Sequence, residues 1–483
     1  MDIDFKNGPY NDIYNARIFA DVHKGKLIWA KNYGGWYIWN GKYWEADNND
    51  KVKAFAVEIA DLVCKREASS TADKEWARHK KNTGDNRSLN AMIDCAKAFM
   101  GATVEFDRDR LLLNCENGVV DLRKGELLGH NPSFYITKTC RASYNPQANA
   151  QMWNQFLMDI FLEDEVIIDY IQKVMGYCLT GLTGEQCFFI LWGDGLNGKG
   201  TFIETINYVL KDYATTCDSD SLMTRKMVSI PNDIARLKGA RFVSTTETQS
   251  GTPIDEERIK KLTGQDKILA RFLRQEHFEF YPEFKIFITT NHKPTIKGTD
   301  AGIWRRVKMI PFLLDLQSHP EKVDRMLRDK LFAEVDGILY WMVLGCKKYF
   351  DEGLKMPTKI DEATKKYMKE EDKVGSFIVD ECITQEEYVN GGGKGQLCCP
   401  VASFRERINT YFGYKYPIKP LKEYMKRKGF CGEDDNRVVV NDKQIRAYLN
   451  VSLRDNLTLR TEAPLVDPSV EVGDAQQNLG WEQ

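Results

Sequence analysis

The 483-residue chain is poor in the features that mark several protein classes. Its twelve cysteines are scattered, and the closest pair, Cys398 and Cys399, is adjacent instead of spaced as C-x-x-C, so neither a zinc cluster nor a disulfide framework is indicated. Six dispersed histidines offer no metal-ligand spacing. Charge of either sign is not in excess: 68 Lys and Arg stand against 70 Asp and Glu, which excludes a globally basic nucleic-acid binder and confines any such site to a local patch. No run approaches the ~20 apolar residues of a membrane span. The most apolar one, "ILYWMVLGC" from Ile338, reads as a buried helix. The opening "MDIDFKNGPYND" is polar and acidic, unlike a signal peptide, and no internal repeat is visible. Together these absences lead to the expectation of an intracellular, cytoplasmic protein with reduced thiols.

What is present suits a globular chain, 42% hydrophobic and 29% charged, of two to four domains at roughly 100–200 residues each. Residues 1–150 mix strand-like and helical segments and are expected to form an α+β region. "GGWYIWNGKYWEAD" alternates apolar and polar residues around Asn40-Gly41, a β-hairpin signal. Its aromatics, Trp36, Tyr37, Trp39, Tyr43 and Trp44, suit core packing better than base stacking. Charged helices follow to Met100, and "LLLNCENGVVDLRKGELLGH" reads as strand, turn, strand. Residues 151–186 carry two helical stretches interrupted near Glu163-Asp164. Residues 187–315 alternate apolar strands with amphipathic helices, as an α/β core does. A helical region is expected over 316–370, with a charged connector at Lys365 to Lys373. A small domain is expected at 371–460, and an acidic, Pro-containing tail at 461–483 is expected to be disordered.

The chemistry concentrates in the α/β core. "LWGDGLNGKGTF", Leu191 to Phe202, spells G-x-x-x-x-G-K between an apolar strand and an amphipathic helix. That context makes it a phosphate-binding loop: Gly193, Gly195, Asn197, Gly198, Lys199, Gly200 and Thr201 would surround the phosphates, with backbone N–H groups and the Lys199 charge facing them. A Ser or Thr that holds Mg²⁺ belongs where Gly200 stands. Thr201 could substitute after a local shift, water could fill the place, or hydrolysis could be impaired; a water-completed metal shell is the favoured reading. The strand Arg241 to Thr246 ends in Glu247, an acid suited to orienting water and holding the metal's shell, so Thr201 and Glu247 are the candidate metal residues. "FKIFITTN" ends in Asn291, placed to hold the same water or the terminal phosphate. Arg305 and Arg306 come next, and in a ring of subunits one of them could reach a neighbour's γ-phosphate as an arginine finger.

With these motifs in this order, the chain resembles superfamily 3 helicases of the AAA+ type, specifically the poxvirus-type primase-helicase group found at the C-terminus of phage and plasmid primases. "NGVVDLRKGELLGHNPSFYITK" and "GYCLTGLTGEQCFFILWGDGLNGKGTF" are similar to the domain before the motor, and "NDIARLKGARFVSTTETQSG" and "FKIFITTNHKPTIKGTDAGIWRRVKMIPF" to the motor itself. The likeness runs from about Asn11 to Phe312. It implies an AAA+ P-loop core with ATP and Mg²⁺ as cofactors, Lys199 on the β- and γ-phosphates, Glu247 as the Walker B acid, Asn291 as sensor, and Arg305 or Arg306 as finger. It also implies a hexameric ring and single-stranded or forked DNA as partner. A primase or polymerase domain, on the same longer chain or another, completes the set of partners. In "IKKLTGQDKILARFLRQEHF" a pore hairpin is implied, with Lys260, Lys267, Arg271, Arg274 and His277 available to a DNA backbone. A winged-helix module is implied for "FRERINTYFGYKYPIKPLKEYMKRKGF" with the strand-like "NRVVV" after it. The expected activity is an ATP-driven replicative helicase. The alternatives are an ATP- and DNA-binding platform that recruits primase without unwinding, and a P-loop ATPase acting on something other than DNA.

Overall fold

The computed structural model describes residues 10–65, 74–224, 232–245, 252–272, 277–298, 301–431, 437–441 and 443–460. They divide into two compact units, residues 1–367 and 368–483. Glu247, Arg274 and the acidic tail lie outside the described residues.

The first unit begins with α1 (Asp12–Val22), β1 (Leu27–Ala30), β2 (Gly35–Trp39) and β3 (Trp44–Ala46). Helices α2 (Val52–Lys65), α3 (Lys74–Asn82) and α4 (Asn86–Met100) follow, then β4 (Gly101–Ala102), giving a sheet of order β3-β2-β1-β4. The expected hairpin is present: β2 pairs antiparallel with β3, Trp39 opposite Trp44, and Gly41 turns the chain at φ 98°. Because side chains alternate along a strand, Trp36 and Ile38 enter the core with Phe19 and Ile59, whereas Tyr37 and Trp39 point to the other face, half-buried. A three-stranded antiparallel sheet of β5 (Leu112–Cys115), β6 (Gly118–Asp121) and β7 (Glu126–Leu128) completes this region.

Helices α5 (Gln151–Ile160) and α6 (Glu165–Leu179) are the expected pair. The interruption has a local cause. Leu162 and Glu163 adopt left-handed backbone (φ 52° and 61°), and Asp164 caps α6 by accepting the Ile167 N–H at 3.1 Å.

The core beyond α6 is a parallel sheet of β8 (Phe188–Trp192), β9 (Ala214–Cys217), β10 (Phe242–Thr245), β13 (Lys285–Thr290) and β14 (Val307–Pro311), in the order β14-β8-β13-β10-β9. Its central strands are buried on both faces, which is why "FFILW" reads as an unbroken apolar run; in "KIFITT" even Lys285 and the two threonines are buried. Between these strands lie α7 (Lys199–Leu210), α8 (Asn232–Ala235), α9 (Glu256–Leu262) and the antiparallel hairpin β11 (Ile268–Ala270) and β12 (Phe278–Phe280); α10 (Ala301–Trp304) leads into β14. Beyond the sheet come α11 (Leu327–Ala333), α12 (Val335–Glu352) and α13 (Thr358–Glu371). The apolar run from Ile338 lies in α12 and is buried apart from the half-buried Tyr340 and the exposed Leu344.

One expectation gains its form. Lys365 to Lys373 does join the two units, and up to Glu371 it does so as the end of α13. The charges of that helix face solvent, while its other face carries Ile360, Thr364 and Tyr367 inward. The Thr364 hydroxyl accepts the Met309 N–H of β14 at 3.1 Å, and the Tyr367 hydroxyl donates to the Pro294 carbonyl. The division between the units falls within this helix.

The second unit contains α14 (Lys373–Glu381), β15 (Cys382–Thr384), α15 (Gln385–Asn390), β16 (Cys398–Pro400), α16 (Val401–Phe412), α17 (Ile418–Arg427), β17 (Arg437–Val440), β18 (Lys443–Leu449) and β19 (Val451–Leu453). β17 and β18 form a hairpin, and β16 pairs on its β18 side. Phe377, Phe404, Leu421 and Met425 join the three longer helices in one core.

Candidate nucleotide site

The loop after β8 is shaped by two close approaches that admit only glycine. A Cβ at Gly193 would lie 2.2 Å from the Phe312 carbonyl oxygen, and one at Gly198, where φ is 86°, would lie 2.5 Å from Ile160 Cγ2. Asn197 clamps the loop from inside. Its buried amide donates to the Asp194 carbonyl at 3.0 Å and to the Phe312 carbonyl at 3.2 Å, tying the loop to the exit of β14. Helix α7 starts at Lys199, directly beyond the left-handed Gly198, so its first unpaired N–H groups face the loop. The positive end of the helix dipole lies at the same point, an arrangement able to cradle an anion.

Lys199 is 5% exposed, and its ammonium donates to Gly193 O at 2.6 Å, Asn197 Oδ1 at 3.0 Å and Asn291 Oδ1 at 3.1 Å. The last bond joins residues 92 positions apart, and sheet register explains it. β13 is the parallel neighbour of β8 with Thr290 opposite Trp192, so the residue after each strand, Asn291 and Gly193, emerges at the same edge. β10 lies on the other side of β13; the Thr289 hydroxyl donates to the Thr245 carbonyl at 3.0 Å. Glu247 follows β10 by two residues in the sequence and lies outside the described residues.

Gly195 through Thr201, Thr289 and Asn291 form one wall of a cavity of about 650 Å³. The opposite wall is apolar: Met152, Phe156 and Ile160 from α5, with Leu314, Leu316 and Leu327 from the chain after β14. That volume lies in the range of small-ligand sites, and the split into a polar and an apolar wall suits a molecule with a charged end and a flat apolar end. The acids at the mouth are already engaged: Asp159 pairs with Lys322 at 3.3 Å and Asp324 with Lys330 at 2.6 Å. The apolar wall carries no motif, and its one signal in the sequence is that 152, 156 and 160 share one helix face at i, i+4 spacing.

The two arginines part company. Both precede β14, whose start pairs with the start of β8, so they lie about 20 Å along the strands from the loop. Arg306 is 8% exposed and bound inside the fold, to Thr263 Oγ1 at 3.2 Å, the Gly302 carbonyl at 2.7 Å and Gln186 Oε1 at 3.2 Å. A guanidinium so enclosed is not offered to a neighbouring subunit. Arg305 is exposed and touches Gln186 Oε1 at 3.0 Å.

The residues expected on a pore hairpin are likewise separated. Lys267 pairs with Glu279 across β11 and β12 at 3.1 Å, Arg271 and His277 are exposed at the distal side of the hairpin, and Lys260 lies on α9 instead.

Known proteins give this geometry its relatives. Residues 16–162 match the family described as D5 N terminal like, and residues 191–306 match a family of unknown function, DUF5906. The chain is 30% identical over 345 residues to the provisionally named helicase L207/L206 of Acanthamoeba polyphaga mimivirus, covering 67% of this chain and 35% of that protein. It is 23% identical over 346 residues to the provisionally named helicase 184R of Invertebrate iridescent virus 6, covering 63% and 35% respectively. The matched part thus spans about a third of the length of these curated relatives. In fold, the chain is similar to the apo structure of the NrS-1 C-terminal region (305–718), with a TM-score of 0.55 at 11% identity, over 91% of this chain and 99% of that one. The chain is therefore a mixed α/β relative of viral proteins named as helicases, with a D5 N-terminal-like domain ahead of its parallel sheet.

Proposed function

We propose that this chain is the motor of an ATP-dependent, ring-forming replicative DNA helicase of the superfamily 3 AAA+ type, moving on single-stranded DNA. The observation that carries the reading is the junction of Lys199 with Asn291 at the wall of the 650 Å³ cavity. A sensor amide beside the loop lysine is what a γ-phosphate-reading site needs. The strand order supports it, because the strand that leads to Glu247 is separated from the loop strand by the sensor strand. In the second unit, the order β16-β18-β17 with three helices supports the winged-helix reading.

In this reading the adenine lies against Phe156, Ile160 and Leu316, and the phosphates meet the N-terminus of α7. Lys199 exchanges at least one protein oxygen for phosphate oxygen, which frees Asn291 to hold the attacking water or the γ-phosphate. Glu247 orients that water. The finger role falls to Arg305, given the burial of Arg306. Mg²⁺, when bound, would neutralise charge between the β- and γ-phosphates, and Thr201 and Glu247 are the residues to hold it. Thr201 lines the cavity and Gly200 leaves room beside it. The hydroxyl missing at Gly200 favours a second reading, a platform that binds ATP and DNA without unwinding.

The test is ATP turnover with and without single-stranded DNA, then unwinding of a forked duplex, with Lys199→Ala as control. DNA-stimulated turnover and unwinding, both falling about 10²–10³-fold in Lys199→Ala, are expected. Nucleotide binding without turnover selects the platform. Turnover without unwinding points to a substrate other than DNA.

A further inference from the structure

At the sheet edge opposite the loop, a second cavity of about 520 Å³ opens between the N-terminal sheet and the segments that enter β10 and β13. We propose that it holds one unstacked nucleotide, its base against the rings of Tyr33, Tyr37 and Phe106 and its phosphate on Lys238. The source we favour is a single DNA strand held by the motor. The inference rests on the reading that this chain handles DNA but uses no part of the ATP site.

The rings are the first ground. Tyr37 and Phe106 lie 4.3 Å apart between centroids, with Tyr33 at 5.2 Å from Phe106 and 5.9 Å from Tyr37. They stand on the face of β2 that the core does not use: the alternate residues Trp36 and Ile38 already fill the interior. Core packing, which accounts for Trp36 and Trp44, does not account for Tyr37. Among the described residues its hydroxyl has no hydrogen-bond partner, although burial pushes its pKa up to about 12. A platform of adjacent rings with a phenol edge is what sequence-tolerant base stacking employs.

Charge is the second ground. Of the cations around the cavity, Arg110 pairs with Glu283 at 3.4 Å, Lys51 pairs with Glu45 at 3.2 Å, and Lys138 donates to the Asp212 carbonyl at 3.2 Å. Asp107 is engaged by the Thr137 N–H at 2.8 Å and by its hydroxyl. Lys238 is the exception: no carboxylate lies within ion-pair distance among the described residues, and its ammonium rests 5.3 Å from the Tyr33 ring centroid and 5.1 Å from that of Phe278. An exposed cation poised over an aromatic wall is complementary to a phosphate whose base lies on that wall.

Position is the third ground. The cavity lies at the root of the β11–β12 hairpin, with Phe280 buried in its lining and Tyr281 exposed at its rim. A strand that touches the hairpin reaches it without crossing the sheet. Its volume suits a single base out of stack.

The experiment is anisotropy of fluorescein-labelled dT15 with the full chain and a non-hydrolysable ATP analogue. It compares Tyr37→Ala, Tyr37→Phe, Lys238→Ala and Lys238→Arg, with thymidine monophosphate titrated separately against tyrosine fluorescence. Binding of the ATP analogue at the loop cavity is expected to stay constant across the set. We expect Tyr37→Ala and Lys238→Ala each to weaken dT15 by about 5–100-fold, with Tyr37→Phe and Lys238→Arg holding most of the affinity. If those alanine variants spare dT15 but abolish monophosphate binding, the site takes a free nucleotide. All four variants within about twofold of wild type for both probes overturn the proposal. Lys238 is exposed, so its alanine variant reports on binding even if Tyr37→Ala melts early. A chain that binds dT15 through Tyr37 yet shows no DNA-stimulated turnover would sink the motor and leave this site standing.

Discussion

At Gly200 a Cβ would meet nothing within 4 Å, in contrast to the crowded Gly193 and Gly198. Packing therefore does not require glycine there, and a serine hydroxyl has room to enter the cavity. If water completes the metal shell, Gly200→Ser supplies a ligand that replaces it, and the Mg²⁺ midpoint for ATP turnover should fall several-fold, on the order of 1 kcal/mol of metal binding. A midpoint unchanged by the substitution would mean that Thr201 already fills the place. A Mg²⁺ titration of turnover decides between them, with thermal melting to confirm an intact fold.

Lys285, at the start of β13 and 2% exposed, is the other residue whose setting makes a quantitative demand. Burial lowers its pKa to about 8, although its ammonium donates to the Thr180 and Glu283 carbonyls and lies 4.6 Å from the Tyr177 ring centroid. Between that value and the ~10.4 of an unfolded lysine, the unfolded chain binds a proton that the folded one has released, so stability rises with pH across this window. Against Lys285→Met, wild type should gain on the order of 3 kcal/mol from pH 8 to 10.5. Burial also pushes the thiols of Cys178 and Cys187 up to about 12, which lowers stability as pH rises past the unfolded thiol value. Lys285 pulls both thiols down only while it is charged, so above pH 8 they behave alike in the two proteins and the difference between the denaturation series reports on Lys285. A flat difference would refute its buried, depressed state.

Among the elements, α6 and α12 meet backbone to backbone. A Cβ at Gly176 would lie 2.0 Å from the Cys346 nitrogen, and one at Gly345 would lie 1.9 Å from the Gln172 carbonyl oxygen. Gln172 also donates its amide to the Trp341 carbonyl at 3.0 Å, so the contact is both tight and polar. Its consequence reaches the candidate site. Trp153 of α5, whose neighbours Met152 and Phe156 wall the cavity, packs at 5.5 Å on Trp341 of α12. Gly345→Ala should destabilise the first unit by at least about 1–3 kcal/mol and weaken ATP binding with it. Gly184→Ala, where a Cβ meets nothing within 4 Å, is the control. Equal melting of the two variants would show that the helices separate freely. This contact was not legible in the sequence, where both glycines sit inside apolar helical runs with nothing to mark a partner. The hairpin at Asn40-Gly41 and the break after α5 were legible, because turn chemistry and capping are written locally. The helical form of the joint at the end of α13 was not: its lysines and glutamates resemble a plain linker until Ile360, Thr364 and Tyr367 are seen to face inward.

For the molecule as a whole, the loop was readable because strand, spacing, lysine and helix are contiguous, whereas the wall built by α5 and the residues after β14 depends on tertiary approach. The adjacent arginines were indistinguishable in the chain. In the fold, Arg306 is held by Thr263, Gly302 and Gln186, while Arg305 faces outward at the edge away from its own cavity. An arginine there cannot serve the cavity of its own subunit, so under the ring reading it serves the next one. Arg305→Ala should then lower turnover by about 10³–10⁵-fold without weakening ATP binding. Lys199→Ala should be inactive for the opposite reason, a defective cavity beside an intact finger. Mixing the two inactive proteins creates interfaces where an intact cavity of one meets the intact finger of the other, and turnover should reappear at a fraction of the wild-type rate. Recovery needs assembly, so it should vanish on dilution below the assembly concentration. Separate proteins that remain inactive at every ratio, although light scattering shows them co-assembled, would remove Arg305 from the reaction.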